Sequence, residues 1–431
     1  MPGMLGSNDG WFTKKDVGLL LAILVLAIGL RTLASAVLPS PLESDYLGYW
    51  QVANNLYSGE GMVGADGKPT AFLSPGYSIF LWQVFRVLGP TLGAVKAANI
   101  FLGAASVAFI YASALRLFRL RLVAAMAAIL FATYAESIAY TTYVAKENLM
   151  IFLMCAQLFF VVTLPPHGGW RFANAVLFGA ATGCLAVVGN AALALVPGFA
   201  FYVFRKDGRI IRTGEYFFAA FVVALLVTWP MLVHNHQTFG RYVLNNNGGF
   251  NLYIGNNPNA TPLFESITET PLGPQWQALH QELGEEGADQ LLRKLAIDYI
   301  VQNPGKTLIL AARKAISFWT PPIHEGKYSP SAGENLVRSI WLFQYLLICA
   351  LFLVSSLRFH TYRDQLITLW LLVVGYTAVH MVFYVIYRYR LPIMPFLCLG
   401  AGLGVQMVLT TLCPRWLEAG SRVFGDVRQS T

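Results

Sequence analysis

Charge is what this sequence has least of: of 431 residues only 12% are charged while 56% are hydrophobic, and mean hydropathy is +0.54. A water-soluble domain carries about 25% charged residues, so the composition excludes a soluble enzyme and leaves a polytopic membrane protein. Cysteine is also sparse. The five, Cys155, Cys184, Cys349, Cys398 and Cys413, lie in or at the ends of apolar runs with no CxxC spacing, and read as packing or lipid-facing residues rather than a disulfide framework. There is no P-loop, no GxGxxG after a strand and no GxSxG, which removes local support for ATP-driven transport, nucleotide cofactors and serine hydrolysis. His234, His236, His324 and His380 show neither HExxH nor helical pairing, so no zinc site stands out. The N-terminal MPGMLGSNDGWFTKKD has no signal-peptide cleavage pattern, and the first apolar run is expected to stay as an anchor.

Long apolar runs are what the chain does have: 17–38, 91–115, 122–140, 147–164, 216–233, 336–357, 366–384 and 392–412. Each reaches or approaches the roughly 20 residues of a crossing helix. The 173–204 stretch is too long for one helix and carries Gly189 and Asn190 in its middle, with Pro197 beyond. If it is two helices, the basic clusters at Lys14, Lys15, Arg116, Arg119, Arg121, Arg171, Arg205, Lys206, Arg209, Arg212, Arg358, Arg363 and Arg415 fall on one side. If it is one, that bias collapses, so the positive-inside rule selects two. The expectation is an all-α polytopic membrane protein of about ten transmembrane helices with both termini cytoplasmic. The net charge of +8 then serves orientation rather than nucleic-acid binding.

This topology divides the chain into a transmembrane module (1–233) with a first outer loop (39–90), an extracytoplasmic loop (234–335) and C-terminal helices with a short cytoplasmic tail (336–431). Within the first loop, 75–88 is too short to cross a bilayer and reads as an interfacial helix. The front of the second loop, HNHQTFGRYVLNNNGGFNLYIGNNPNATP, predicts dense turns with short extended pieces. Its rear predicts two amphipathic helices split at Asn303-Pro304-Gly305 and lying against the membrane.

Three groups could carry chemistry at the outer face. Asp45, two residues after Glu43 and flanked by Tyr46, Tyr49 and Trp50, is the preferred base. Lys146 and Glu147 sit at the outer end of a span, where charged residues face water or a cavity; Glu147 would join Asp45 in an acidic cluster positioning an acceptor hydroxyl or a divalent cation. Arg388 and Arg390, among Tyr384, Tyr387 and Tyr389, place positive charge outside against the orientation rule, and arginine pairs bidentately with phosphate. Arg31, inside the first span, is costly unless it faces a cavity.

Taken in order, one helix, a loop with Asp45 and Tyr49, the Pro75-Gly76-Tyr77 segment, Glu147, GRYVLNNNGGFNLYIGNNP, QNPGKTLILAARKAISFW and RYRLPIMPFL resemble the polytopic GT-C glycosyltransferases of the protein O-mannosyltransferase and aminoarabinose transferase branch. The resemblance implies the GT-C fold and inverting transfer of one sugar from a polyprenyl-phosphate donor to a glycan, lipid or protein acceptor. It implies a bacterial inner membrane location with the site on the periplasmic or extracellular face. Asp45 matches the acid that binds or deprotonates the acceptor, Tyr49 an aromatic position of the same site, and Glu147 the second acid. Ser74 stands where the family often has Lys or Arg against the donor phosphate, so Lys68, Arg388 or Arg390 is expected to supply that contact. The expected site is Asp45 and Glu147, with Tyr46, Tyr49, Lys68, Ser74, Tyr77, Lys146, Tyr387, Arg388 and Arg390 around the substrates. The alternatives are a transporter or flippase of lipid-linked glycans, or a glycan ligase or polymerase. The spatial expectation is that Asp45, Glu147 and the arginines after Tyr387 converge on one cavity.

Overall fold

The computed structural model describes residues 12–321 and 332–412; His324, Cys413 and Arg415 lie outside the described residues. The chain is all-helical, with only two isolated bridges, Val63 to Pro69 and Leu263 to Val385, among the described residues. In order come α1 (Lys14–Val37), α2 (Ser44–Ser58), α3 (Pro75–Leu88), α4 (Leu92–Phe118), α5 (Arg121–Ala132), α6 (Ala135–Ala139), α7 (Glu147–Val162) and α8 (Gly169–Val188). Then follow α9 (Val196–Asp207), α10 (Ile210–Phe239), α11 (Gly248–Gly255), α12 (Trp276–Gln302) and α13 (Pro304–Trp319). The chain closes with α14 (Ala332–Ser355), α15 (Arg363–Val382) and α16 (Met394–Leu412).

Seven helices among the described residues are long and apolar enough to cross a membrane, or eight when the bent pair α5 and α6 counts as one. Ten were expected; α7, with 16 residues, and α9, with 12, are shorter. The break expected at Gly189-Asn190 is present, where α8 ends and a 3-10 turn leads into α9. The split at Asn303-Pro304 between α12 and α13 is present too. The front of the second loop differs from expectation. Gly248–Gly255 is a helix rather than an extended piece, because the buried Asp289 carboxylate accepts from the Phe250 amide at 2.9 Å and satisfies a donor in its first turn.

One end of the bundle is knitted by ion pairs. Asp16 closes a box with Thr13 at the start of α1 and meets Arg121 at 2.9 Å. Arg171 meets Asp207 at 2.5 Å and Arg205 meets Asp364 at 3.0 Å. Lys206 donates to the carbonyls of Val162 and Leu164, and Gln365 to that of Leu117. The basic clusters thus gather at a single end, as the positive-inside pattern requires.

Small residues set the closest helix contacts. Gly179 and Gly183, four apart on α8, lie against the backbone of α10, where a Cβ at Gly179 would collide with the Ala220 carbonyl. Gly400 and Gly404 do the same on α16 against Phe352 and the Leu351 carbonyl of α14. In lipid, where apolar side chains gain little from meeting each other, this backbone approach is a main source of helix association.

The run 122–140 was expected as one span, but it bends by 53° between α5 and α6. A bend frees backbone groups that hydrocarbon cannot satisfy. Arg31, fully buried, donates to the Ala132 carbonyl at 3.2 Å and to the Ser137 hydroxyl at 3.0 Å. Gln344 donates to the Thr133 carbonyl and accepts from the Ala135 amide, both at 2.8 Å. Gly103 leaves room for the guanidinium, since a Cβ there would strike it. Arg31 therefore repairs a broken helix. Arg31→Met, which keeps the stem but leaves these acceptors buried and unmet, should cost about 1–3 kcal/mol; the midpoint of thermal unfolding in detergent should fall, and an unchanged midpoint would contradict this role.

Candidate active site

The end opposite the ion-paired one carries α2, α3 and the starts of α4 and α7. Helix α2 begins one residue before Asp45 and ends at Gly59, whose φ of 84° suits glycine. It is seated by Tyr49, buried with its ring 5.2 Å from that of Tyr77, and by the Ser78 hydroxyl donating to the Tyr49 carbonyl at 3.1 Å. Burial pushes the Tyr49 hydroxyl well above its ordinary range, with Asp45 and Glu147 adding to the shift. This seating leaves Asp45 partly open to solvent, its side chain 36% exposed.

Glu147 is the first residue of α7 and nearly buried, with its side chain 4% exposed. A carboxylate at a helix N-terminus faces the positive end of the peptide dipoles. The turn before it is pinned by Asn99, which donates to the carbonyls of Thr141 and Tyr143, and by Asn148, which donates to that of Tyr140 at 2.8 Å.

Arg388 joins the two acids. Its guanidinium donates to Asp45 Oδ2, and its Nε lies 3.4 Å from Glu147 Oε1, an ion-pair distance. The Tyr46 ring lies 5.4 Å beneath it and the Tyr389 ring 6.0 Å away, distances at which a ring face attracts a cation. The segment leading to Arg388 is clamped by the second loop. Val385 exchanges backbone hydrogen bonds with Pro262 and Phe264, and Asn256 donates to the Val382 carbonyl at 2.8 Å. Gly255 must be glycine, because a Cβ there would strike Phe383.

Beside Glu147 lies a cavity of about 100 Å³ lined among others by Lys146, Asn190, Asn251, His380, Tyr384 and Tyr389. Burial lowers the Lys146 pKa, with Arg388 adding to the shift and Glu147 opposing it. The Tyr384 hydroxyl donates to Asn251 Oδ1 at 2.9 Å. Asp45, Glu147, Arg388, Tyr46, Tyr49, Tyr77 and Lys146 are thus one neighbourhood, but the expected convergence on one cavity is incomplete: Lys146 and Glu147 line it, and Asp45, Arg388 and Arg390 do not.

Four other expected positions lie in different surroundings. Arg390 is buried, donates to the Thr320 carbonyl at 2.8 Å, and has its guanidinium 4.8 Å from the Tyr345 ring, 5.5 Å from that of Tyr387 and 5.8 Å from that of Trp341. Two positions along a 3-10 turn point to different sides, so Arg390 and Tyr387 join a separate cluster with Trp341, whose indole donates to the Glu136 carboxylate at 2.9 Å. Ser74 starts α3 and accepts from Asn245 at 3.2 Å. Lys68 is exposed in a turn and lines a separate groove. Sequence reasoning gave no role to Asn190, Asn251 or His380, although the NNNGGFNLYIGNN run and the Gly189-Asn190 break marked two of them.

Residues 69–234 match the family model described as dolichyl-phosphate-mannose-protein mannosyltransferase. The structure superposes on the oligosaccharyltransferase of Archaeoglobus fulgidus tethered with an acceptor peptide at a TM-score of 0.53 and 13% identity, over 97% of this chain and 52% of that one. The chain has the GT-C fold. The same archaeal enzyme in complex with an inhibitory peptide and a dolichol-phosphate gives 0.53 at 14% identity over 96% and 52%. This GT-C chain therefore spans about half the length of the archaeal enzyme. ArnT from Cupriavidus metallidurans bound to undecaprenyl phosphate is more distant, with a TM-score of 0.45 at 13% identity over 94% and 80%. A comparison with curated protein sequences gives no match.

The helix that presents Asn251 to the cavity is held by Lys314 of α13, which donates to the Gly255 carbonyl at 2.7 Å. Burial pushes Lys314 down to about 8, whereas an unfolded lysine titrates near 10.4. Above about pH 8 the unfolded chain holds a proton that the folded chain releases, so this group adds stability as pH rises from about 8 to 10. The thermal midpoint should rise less steeply across that window in Lys314→Met than in the parent protein. An identical pH slope in both would contradict the assignment.

Proposed function

We propose that this GT-C chain is an inverting glycosyltransferase that moves one sugar from a polyprenyl-phosphate donor to an acceptor hydroxyl on the extracytoplasmic face. The observation that carries the reading is the meeting of Asp45, Glu147 and Arg388 beside the cavity that holds Lys146. The facing is our reading and is supported by the basic end lying opposite the site, since positive residues favour the cytoplasmic side; in a bacterium the membrane would be the inner one.

Asp45 is the acid that solvent and an acceptor can reach, so it takes the hydroxyl proton as the acceptor oxygen bonds to the anomeric carbon. The bond from that carbon to the phosphate oxygen breaks on the opposite face, and the phosphate leaves with the electron pair. A positioned base contributes roughly a hundred- to ten-thousandfold. Glu147, buried, holds Arg388, and Arg388 orients Asp45. Arg388 already meets two carboxylates and Arg390 lies outside the cavity lining, so we assign the donor phosphate to Lys146, whose ammonium lines the cavity among amide and phenol side chains. A compact ammonium balancing charge on a leaving phosphate is a form of electrostatic stabilisation that grows in a water-poor site.

A lipid-borne donor has somewhere to lie. An apolar groove of about 460 Å³ runs between α14 and α15, lined by Trp319, Phe352, Trp370, Met381 and Leu397 among others. Helix α15 separates it from the cavity, with Thr377 and Met381 facing the groove and Tyr376 and His380 the cavity.

A divalent cation does not fit this arrangement. The guanidinium of Arg388 occupies the position between the two carboxylates that a cation would take, and no group of three His, Cys, Asp or Glu among the described residues could hold a metal. The Archaeoglobus fulgidus enzyme has been solved in complex with Zn and sulfate; here arginine supplies the charge.

With a labelled polyprenyl-phosphate sugar and purified protein, label should leave the lipid. Label that only crosses the bilayer would identify a flippase instead. Asp45→Asn should lower transfer at least a hundredfold with unchanged folding, and full activity would refute the base. Lys146→Ala should raise the donor concentration needed for half-maximal rate, and an unchanged requirement would remove Lys146 from the phosphate. EDTA should leave the rate intact, and a loss restored by a divalent cation would contradict the arginine bridge.

A further inference from the structure

A groove of about 1250 Å³ lies between the 64–72 turn and the first half of α12. It exceeds the roughly 300–1,000 Å³ of ordinary small-molecule pockets. The groove exists because α12 is interrupted at Gly284, whose φ of 68° and ψ of 179° turn the preceding segment away from the rest. Just past that turn, Glu285 accepts from the Thr70 hydroxyl at 2.7 Å and the Ala71 amide at 2.8 Å, which fixes the opposite wall.

Its lining joins two chemistries. A run of rings forms the floor: Phe72 and Phe250 have centroids 5.2 Å apart, Phe250 and Trp276 5.9 Å, Trp276 and His280 5.2 Å. The rim is polar and solvent-exposed, with Asp66 on the turn and Gln277 and Gln281 one helical turn apart on α12. A sugar ring presents an apolar CH face and an edge of hydroxyls. Ring floors suit the face, and carboxylates and side-chain amides offer both donors and acceptors to the edge. The acidic side chains Asp66, Glu285 and Glu286 outnumber Lys68 along the lining, which disfavours a polyphosphate or a nucleic acid. An extended peptide most readily adds to a sheet edge, and among the described residues there is no sheet, only two isolated bridges.

The groove also leads to the proposed base. Gly64, Thr70 and Phe72 line both it and a smaller cavity of about 180 Å³ whose other wall is Gly48, Gln51 and Val52 of α2. Gly48 lies one turn from Asp45 on the same face of that helix. On the second side, Phe250 lines the groove while its neighbour Asn251 lines the cavity beside Glu147.

We propose that this groove is the acceptor site and that the acceptor is a neutral oligosaccharide; the proposal rests on the transferase reading above and names its acceptor class. Trp276 stacks on one sugar, Gln277, Gln281 and Asp66 hold hydroxyls, and the chain end reaches Asp45 along α2.

The test uses the full chain in lipid nanodiscs, with labelled linear pentasaccharides of glucose, mannose, galactose, arabinose and N-acetylglucosamine, and labelled pentapeptides beside them. At least one saccharide should bind saturably. Trp276→Ala, and independently the exposed double substitution Gln277→Ala with Gln281→Ala, should each weaken that binding roughly tenfold. Trp276→Phe should restore much of it. Saccharide binding that ignores both substitutions, no saccharide binding at all, or peptide binding that depends on Trp276 would each overturn the proposal. Groove-dependent saccharide binding by a protein that releases no sugar from the lipid donor would remove the transferase reading and leave the binding site standing.

Discussion

One arginine between two carboxylates is the constraint on which the rest of the structure depends. Asp45 and Glu147 belong to helices far apart in the chain, and two acids brought together at the edge of a low-dielectric bundle repel each other and lose hydration. Arg388 offsets both effects. Burying such charges is favourable only when geometry and partners are well satisfied, and here the partners include the faces of Tyr46 and Tyr389. The arrangement leaves the acids unequal: Glu147 is enclosed, while Asp45 keeps a solvent-facing side. In the proposed reaction that inequality is what assigns Glu147 to orientation and Asp45 to proton transfer.

The guanidinium stays in place because three distant parts of the chain hold its backbone. Val385 is paired with the 262–264 segment, Asn256 ties down Val382, and Lys314 caps the helix that supports Asn256. The 234–335 loop is therefore part of the candidate site's scaffold, and the amphipathic helix α13 contributes through one buried lysine. Within the bundle, the same logic recurs at Arg31, which meets backbone acceptors at the α5 bend that lipid cannot meet. Arg388 offsets the charge of two carboxylates, and Arg31 supplies hydrogen bonds to a bent backbone.

Much of the helical layout was legible in the sequence because bilayer thickness imposes run length. The break at Gly189-Asn190 and the split at Asn303-Pro304 were legible for local reasons, a flexible residue and a ring-locked one. The bend between α5 and α6 was not, since 122–140 is a continuous apolar run and the groups that stabilise its bend come from Arg31 and Gln344 far away in sequence. Helix α11 was hidden in an Asn- and Gly-rich stretch because its first-turn amide depends on Asp289. At the site, the acids could be picked out by their positions at helix ends. The choice between Arg388 and Arg390 could not, because their roles follow from which side of a 3-10 turn each occupies. Ser74 drew attention as a departure from the family pattern, and the structure gives it a local partner, Asn245.

The most direct test of this account is an experimentally determined structure of the full chain in nanodiscs with a polyprenyl phosphate bound. The account predicts phosphate oxygens within hydrogen-bond distance of Lys146 Nζ while Arg388 remains between Asp45 and Glu147. Phosphate seated on Arg388, with the two carboxylates released or sharing a metal ion, would contradict it.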